Sequence, residues 1–361
     1  MKTRLFPALL SLAAFAGGVC AAPLSTEIAQ AHEVVKNLIA AKRIPGFSIA
    51  VARGGQIVWS EGFGFANVQQ GVVVTPLTRF RLGSASKIVT AAGLARLAEE
   101  GKIDLDAPVQ RYVPDFPQKQ WPITTRELAG HLAGIRHYSE QDFAVTMQGA
   151  PHFESVSASL AIFKNDPLLF EPGTKYSYSS YGWNLISAVM EGASGADFLT
   201  YMQQAVFDPL GLRSIHSDHA LEIVPYRTSF YQRDPKGELR PADHVDNSYK
   251  WAGGGFLSNA EDLAMFGSAM LEPGFLRRET LEMMFTSQRL RSGAETGVGI
   301  AWRIGKDAKG NRVSHHGGTI DGGRAMIMMY PDSKVVVIML SNILVDFGEP
   351  DAQEIGRIFL P

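Results

Sequence analysis

Hydrophobic positions change their spacing several times along the chain. Leu5 to Val19 is a nearly unbroken apolar run. Ile28, Val34, Val35, Leu38 and Ile39 then recur at helical spacing, which predicts an amphipathic helix over 26–42, stopped by Pro45-Gly46. Phe47 to Arg53 reads as a strand, Gly54-Gly55 as a hairpin turn and Gln56 to Glu61 as the partner strand. A short strand near Phe80 leads to Ser84. From there to Glu100 the pattern is helical and rich in alanine, with Gly101 as its stop. Small side chains over a whole turn allow close packing on several sides, so this helix is expected at the centre of the molecule.

Between about 102 and 250 turn signals multiply and strand patterns thin out. Residues 124–134, 157–164 and 183–192 read as helices, and Leu221 to Arg240 as a stretch holding a short hairpin. Strands return at Gly299–Gly305, Arg312–His316, Arg324–Tyr330 and Lys334–Ser341. The last two are continuous apolar runs joined by Pro331-Asp332-Ser333, hence a buried antiparallel pair. Residues 350–360 close as a helix. The pattern predicts an α/β (α+β) fold: one antiparallel sheet built from both ends of the chain, flanked by helices, with an all-helical domain inserted. The expected division is 22–101 with 251–361 for the sheet domain and 102–250 for the insertion.

Composition narrows the function classes. The 361 residues are 45% hydrophobic and 19% charged, enough apolar material for a full core. With 34 Lys and Arg against 36 Asp and Glu, the formal charge is −2, so no basic excess favours nucleic acid. The single Cys20 excludes a disulfide framework and a Cys-built zinc site. Met1-Lys2-Thr3-Arg4, the apolar run and Val19-Cys20-Ala21-Ala22 read together as a signal peptide over 1–21, cleaved near Ala21/Ala22. The expected location is therefore periplasmic or secreted. No other apolar stretch is long enough to span a bilayer, so the mature chain is expected to have no membrane span.

Three segments could carry chemistry. In Ser84-Ala85-Ser86-Lys87, positions i and i+3 share a helix face, so Ser84 and Lys87 can meet. A serine hydroxyl becomes a nucleophile when a base takes its proton, and a neutral lysine can be that base. The plainer alternative makes Ser84 a helix N-cap. A capping box would then want Glu or Gln at 87; a cation there opposes the helix dipole, whose field lowers its pKa. In Tyr176-Ser177-Tyr178-Ser179-Ser180, expected in a loop before a helix, a phenol near Lys87 could relay a proton, or the loop could simply pack on the core. In Ser314-His315-His316-Gly317-Gly318-Thr319, read as a strand end, the glycines let a substrate lie close to the strand edge. Neighbouring strand residues face opposite ways, so the two histidines do not share a metal ion. No metal or cofactor is expected. His131 reads as a buried histidine fixing a helix end rather than a triad base, and no Gly-x-Ser-x-Gly elbow is present.

The order of these segments resembles the serine β-lactamase and penicillin-binding-protein superfamily, in its class C β-lactamase-like branch. Pro172-Gly173-Thr174 with Tyr178-Ser179 looks like the lead-in and second motif of that branch. Trp251-Ala252-Gly253-Gly254-Gly255 looks like its glycine-rich segment. Ile103–Gln110 and Gly134-Ile135-Arg136-His137-Tyr138 are similar to the mitochondrial, filament-forming, peptidase-like members. The resemblance implies Ser84 as acylated nucleophile, Lys87 as its base partner and Tyr178 as the second acid/base group. It places Ser180 and His316 in the second and third motifs, and implies Gly318 and Thr319 beside the substrate, with an oxyanion hole from the N–H groups of Ser84 and Thr319. Two departures stand out. Ser180 lacks the amide donors of the usual Asn, and His316 replaces a common Lys and would be only partly charged near neutral pH. The resemblance thus implies a metal-free serine hydrolase of amides or esters, acting on a small-molecule or peptide substrate. The alternatives are a D-Ala-D-Ala-type envelope peptidase and a homo-oligomeric or filament-forming scaffold with little turnover.

Overall fold

The computed structural model describes residues 22–142 and 151–361, so the expected signal peptide lies outside the described residues. Its strands are β1 (Gly46–Arg53), β2 (Gln56–Asn67), β3 (Val72–Val73), β4 (Phe80–Arg81), β5 (His216–Ser217), β6 (Tyr231–Arg233), β7 (Leu239–Pro241), β8 (Phe256–Ser258), β9 (Arg303–Lys306), β10 (Arg312–Ile320), β11 (Gly323–Tyr330) and β12 (Val335–Ser341). Seven of them form one antiparallel sheet in the order β3-β2-β1-β12-β11-β10-β9. Both ends of the chain therefore meet at β1 and β12, where Phe47 faces Ser341 and Arg53 faces Val335.

Strand alternation sorts β1 onto two cores. Phe47, Ile49 and Val51 pack with Ala31 and Val35 of the Ala22–Lys42 helix and with Ala352 and Ile355 of the Glu349–Ile358 helix. Ala50 and Ala52 face the larger core, with Leu263 and Phe266 of the Ala260–Ala269 helix and the central Ser86–Glu99 helix. β11 and β12 lie between these layers. β12 is buried along its whole length, as its continuous apolar run requires.

The central helix buries eleven of its fourteen residues, Lys87 among them. Helix Tyr181–Ser194 and the short Trp251–Gly254 helix pack on it. The stretch between the two halves of the large sheet carries short helices, the β6–β7 hairpin and β5, which pairs with β8. It is mainly helical rather than all-helical. The helix expected over 124–134 runs only Thr125–Ala129, closed by a Thr124/Glu127 capping box at one end and Gly130 at the other. His131 follows in the left-handed region at φ 63°. Among the described residues no helix is long and apolar enough to cross a membrane.

β10 does not stop at His316. It runs through Gly317-Gly318-Thr319-Ile320 and turns at Asp321-Gly322. The glycines that suggest a strand end have another cause. A Cβ on Gly318 would lie 1.8 Å from the Leu82 carbonyl oxygen, so the strand can touch the turn before the central helix only without one.

Candidate active site

That turn is a 3-10 segment, Gly83–Ala85, ahead of the α-helix that begins at Ser86. The N-cap of the α-helix is Ala85, with no side-chain cap bond, so Ser84 caps nothing and its hydroxyl is free for other work. Gly83 has φ 49°, and a Cβ there would lie 2.8 and 2.9 Å from the Thr319 carbonyl oxygen and nitrogen. Ser84 is thereby held against the backbone of Thr319.

Lys87 is fully buried. Its Nζ donates to Ser84 Oγ at 3.2 Å, Ser180 Oγ at 3.0 Å and the Gly253 carbonyl at 2.6 Å. An ammonium group would donate to all three; a neutral amine would donate to two and accept the third from the Ser84 hydroxyl. Burial holds the Lys87 pKa below its ordinary value, and Arg303 pushes the same way while Tyr178 opposes. Desolvation, which disfavours the charged form, is thus the leading cause rather than the helix field anticipated from sequence. Tyr178 is also lowered. Burial raises its phenol, but the Lys87 charge and hydrogen bonding with Lys87, Ser84 and Ser180 outweigh that. The pair is coupled, each charge stabilising the other, so a proton can pass between Lys87 and Tyr178 beside the same serine.

The Tyr176–Ser180 loop belongs to no helix or strand, and side chains from 131–137 pin its backbone. His131 Nδ1 accepts the Ser179 N–H at 3.1 Å, and its ring lies 4.3 Å from the Tyr178 ring. The His131 carbonyl accepts the Ser177 N–H at 2.9 Å. His137 Nδ1 accepts the Ser180 N–H at 3.2 Å, and Ser179 Oγ donates to the Arg136 carbonyl at 2.8 Å. Arg136 is anchored in turn by Asp142 and Asp166, each at 2.6 Å.

Opposite the loop, β10 supplies His316, Gly318 and Thr319. His316 is 3% exposed, and burial together with the Lys87 charge lowers its pKa to about 3. The partial charge expected near neutral pH is therefore absent: the ring is neutral there, because burial disfavours its charged form. His315 instead lies 3.4 Å from Glu349. Positive charge at the cleft comes from two arginines that sequence reasoning does not single out. Arg303 stands opposite His315 on β9 and is exposed. Arg324 stands opposite Thr319 on β11, donating to Thr319 Oγ1 and, at 2.7 Å, to the Phe347 carbonyl.

The cleft, about 520 Å³, is lined by Ser84, Tyr178, Ser180, His316 and Thr319 from the sequence-predicted set, and by His137, Tyr138, Arg303 and Arg324 from outside it. Gly318 lies behind, against Leu82, and Lys87 beneath. The seven predicted residues thus come together from three distant stretches. His137 and Tyr138 stand out in the sequence only as part of a resembling stretch, and Gly253 only as part of a glycine-rich one. The arginines give no local signal, because their relevance arises from strand register.

An antiparallel sheet flanked by helices, with a serine and a buried lysine one turn apart at the head of the central helix, is the architecture of the active-site serine hydrolases related to penicillin-binding proteins. Residues 31–358 match the family model described as Beta-lactamase, and the chain belongs to that family. The human mitochondrial serine beta-lactamase-like protein LACTB is 32% identical, over 89% of this chain and 76% of its own length. Penicillin-binding protein 4* of Bacillus subtilis is 26% identical, over 82% of this chain and 67% of its own. Among solved structures, the octameric penicillin-binding protein homologue from Pyrococcus abyssi superposes with a TM-score of 0.77 at 25% identity, over 88% of this chain and 73% of that one.

Proposed function

We propose that the protein is a serine hydrolase that cleaves amide or ester bonds through an acyl-enzyme at Ser84. The observation that carries this reading is the fully buried Lys87, 3.2 Å from Ser84 Oγ, where burial lowers its pKa and so eases loss of its proton. Neutral Lys87 takes the Ser84 proton as Oγ attacks the substrate carbonyl carbon. The N–H groups of Ser84 and Thr319 receive the oxyanion, consistent with Gly83 lying against Thr319. The proton passes through Tyr178 to the leaving nitrogen or oxygen, the C–N or C–O bond breaks, and the acyl group stays on Ser84. Water then attacks the acyl-enzyme and gives a proton to the Lys87/Tyr178 pair; as the bond between the acyl carbon and Ser84 Oγ breaks, the pair passes that proton to Oγ, and the acid is released with Ser84 restored.

Arg303 favours substrates with a carboxylate on the leaving side. It is an exposed cation at the rim of the cleft, beside a His316 too buried to carry charge. That supports a peptidase of the cell envelope over a simple esterase, in keeping with the expected export signal. The octameric relative adds self-assembly, which light scattering on the full chain would detect. The test of the chemistry is labelling by a fluorophosphonate and by a fluorescent penicillin, with the modified peptide mapped by mass. The fluorophosphonate should label Ser84, and Ser84→Ala should lose labelling and turnover while staying folded. A folded Ser84→Ala that keeps a tenth of the rate would sink the proposal. Labelling by the penicillin reads whether β-lactams are accepted.

A further inference from the structure

The run from Ser314 to Thr319 holds one side chain that the cleft does not use. Ser314 stands two residues before His316 on β10, so both point to the same face of the sheet, and it is 3% exposed. Its hydroxyl has no hydrogen-bond partner among the described residues. A buried hydroxyl without a partner is costly, so this one calls for a polar atom. Ser314 lines a cavity of about 230 Å³, separate from the cleft, whose walls include Met270, Leu281, Phe285 and Ile304.

The cavity has a direction. The Phe285 ring meets Trp302 at 5.3 Å, just ahead of β9, and Ser314 stands opposite Ile304. The Arg278–Met284 helix therefore runs back along β9 and carries Arg278 toward the other end, where Arg312 stands opposite Lys306. Asp332 engages Arg312, but Arg278 is exposed and has no ion pair among the described residues. Glu282 is the one acid in the lining, against two arginines. Apolar walls thus run from a cation at the mouth to an unsatisfied hydroxyl at the inner end.

We propose that this cavity binds a small apolar carboxylic acid whose far end carries a hydroxyl or carbonyl oxygen. The carboxylate pairs with Arg278, the chain lies against Leu281, Phe285 and Ile304, and the far oxygen takes up the Ser314 hydrogen bond. None of these residues lines the cleft, so the site stands or falls apart from the acyl-enzyme reading of Ser84.

The test is isothermal titration of the full chain with ω-hydroxy acids from hexanoate to decanoate, with the matching plain acid and diol as controls. At least one ω-hydroxy acid should saturate a single site below about 1 mM. The plain acid should bind roughly tenfold more weakly, since it leaves the Ser314 hydroxyl unpaired. The diol, which lacks the charge, should lose up to about fivefold, because water screens an exposed ion pair. Ser314→Ala should remove the first difference and leave the plain acid unchanged. Arg278→Gln should remove the second and leave the diol unchanged. The unchanged control ligand in each case shows that the variant is folded. The inference is overturned by no saturable binding across the series, by differences that neither substitution touches, or by binding that Arg303→Met at the cleft rim abolishes.

Discussion

On one side of Ser84 stands β10, whose residues 316–319 are set by a backbone ladder to β11 and by close contact with the Gly83–Ala85 turn. On the other stands the Tyr176–Ser180 loop, fixed by single side-chain bonds from His131, His137 and Ser179. The first wall is over-determined, because each residue shares its position with the whole sheet. The second depends on a few polar contacts, each of which leaves a backbone group unpaired if removed. The strand wall should therefore fail through steric conflict and the loop wall through lost hydrogen bonds.

The largest expected effect breaks the strand wall. Gly318→Ala puts a Cβ where the Leu82 carbonyl oxygen now sits, so β10 and the nucleophile turn must part. A displacement near 1 Å at such a site costs about a hundredfold in rate, and we expect at least that loss in kcat/KM with a lowered melting temperature. Near-normal activity in Gly318→Ala would show that the contact does not position Ser84.

His131→Leu tests the loop wall. It strands the Ser179 N–H, at a cost of about 1–3 kcal/mol, and frees Tyr178 to move. A fall in kcat of about tenfold or more is expected, with urea unfolding showing the smaller stability. If kcat holds while stability drops, the loop does not need His131 to place Tyr178.

A milder test concerns proton linkage. The folded pKa of His316, about 3, lies below its unfolded value near 6.5. The unfolded chain therefore takes the proton first, and stability present above pH 6.5 is lost as pH falls toward 3. His316 alone contributes a slope approaching roughly 1.4 kcal/mol per pH unit in that window. Urea midpoints at pH 7.5 and 5 should show a smaller acid loss for His316→Asn than for the wild type. Parallel losses would mean that His316 is protonated in the folded chain.

The smallest expected shift comes from the rim. The Arg303 charge lowers the Lys87 pKa, so Arg303→Met should raise it. Lys87 must be neutral to act as base, so the acidic limb of the rate profile moves to higher pH. Water screens an exposed guanidinium, which keeps the shift below about one unit. The limb measured on a neutral ester reads this directly, and an unmoved limb would separate Arg303 from Lys87.

Local signals are sufficient where local geometry dictates structure. The spacing of Ser84 and Lys87 follows from helical periodicity, and the apolar runs of β11 and β12 can be satisfied only in a buried antiparallel pair. The order of short motifs is enough to bring Tyr178 and His316 into consideration. What only the tertiary structure decided lies across chain gaps. Arg303 matters because β9 registers beside β10, Gly253 because its carbonyl meets Lys87, and His137 because its ring meets the Ser180 backbone. The charge of His316 belongs here too. A histidine in a solvated, unfolded chain titrates at about 6.5. Burial beside a buried lysine, which arises only on folding, removes the proton from His316.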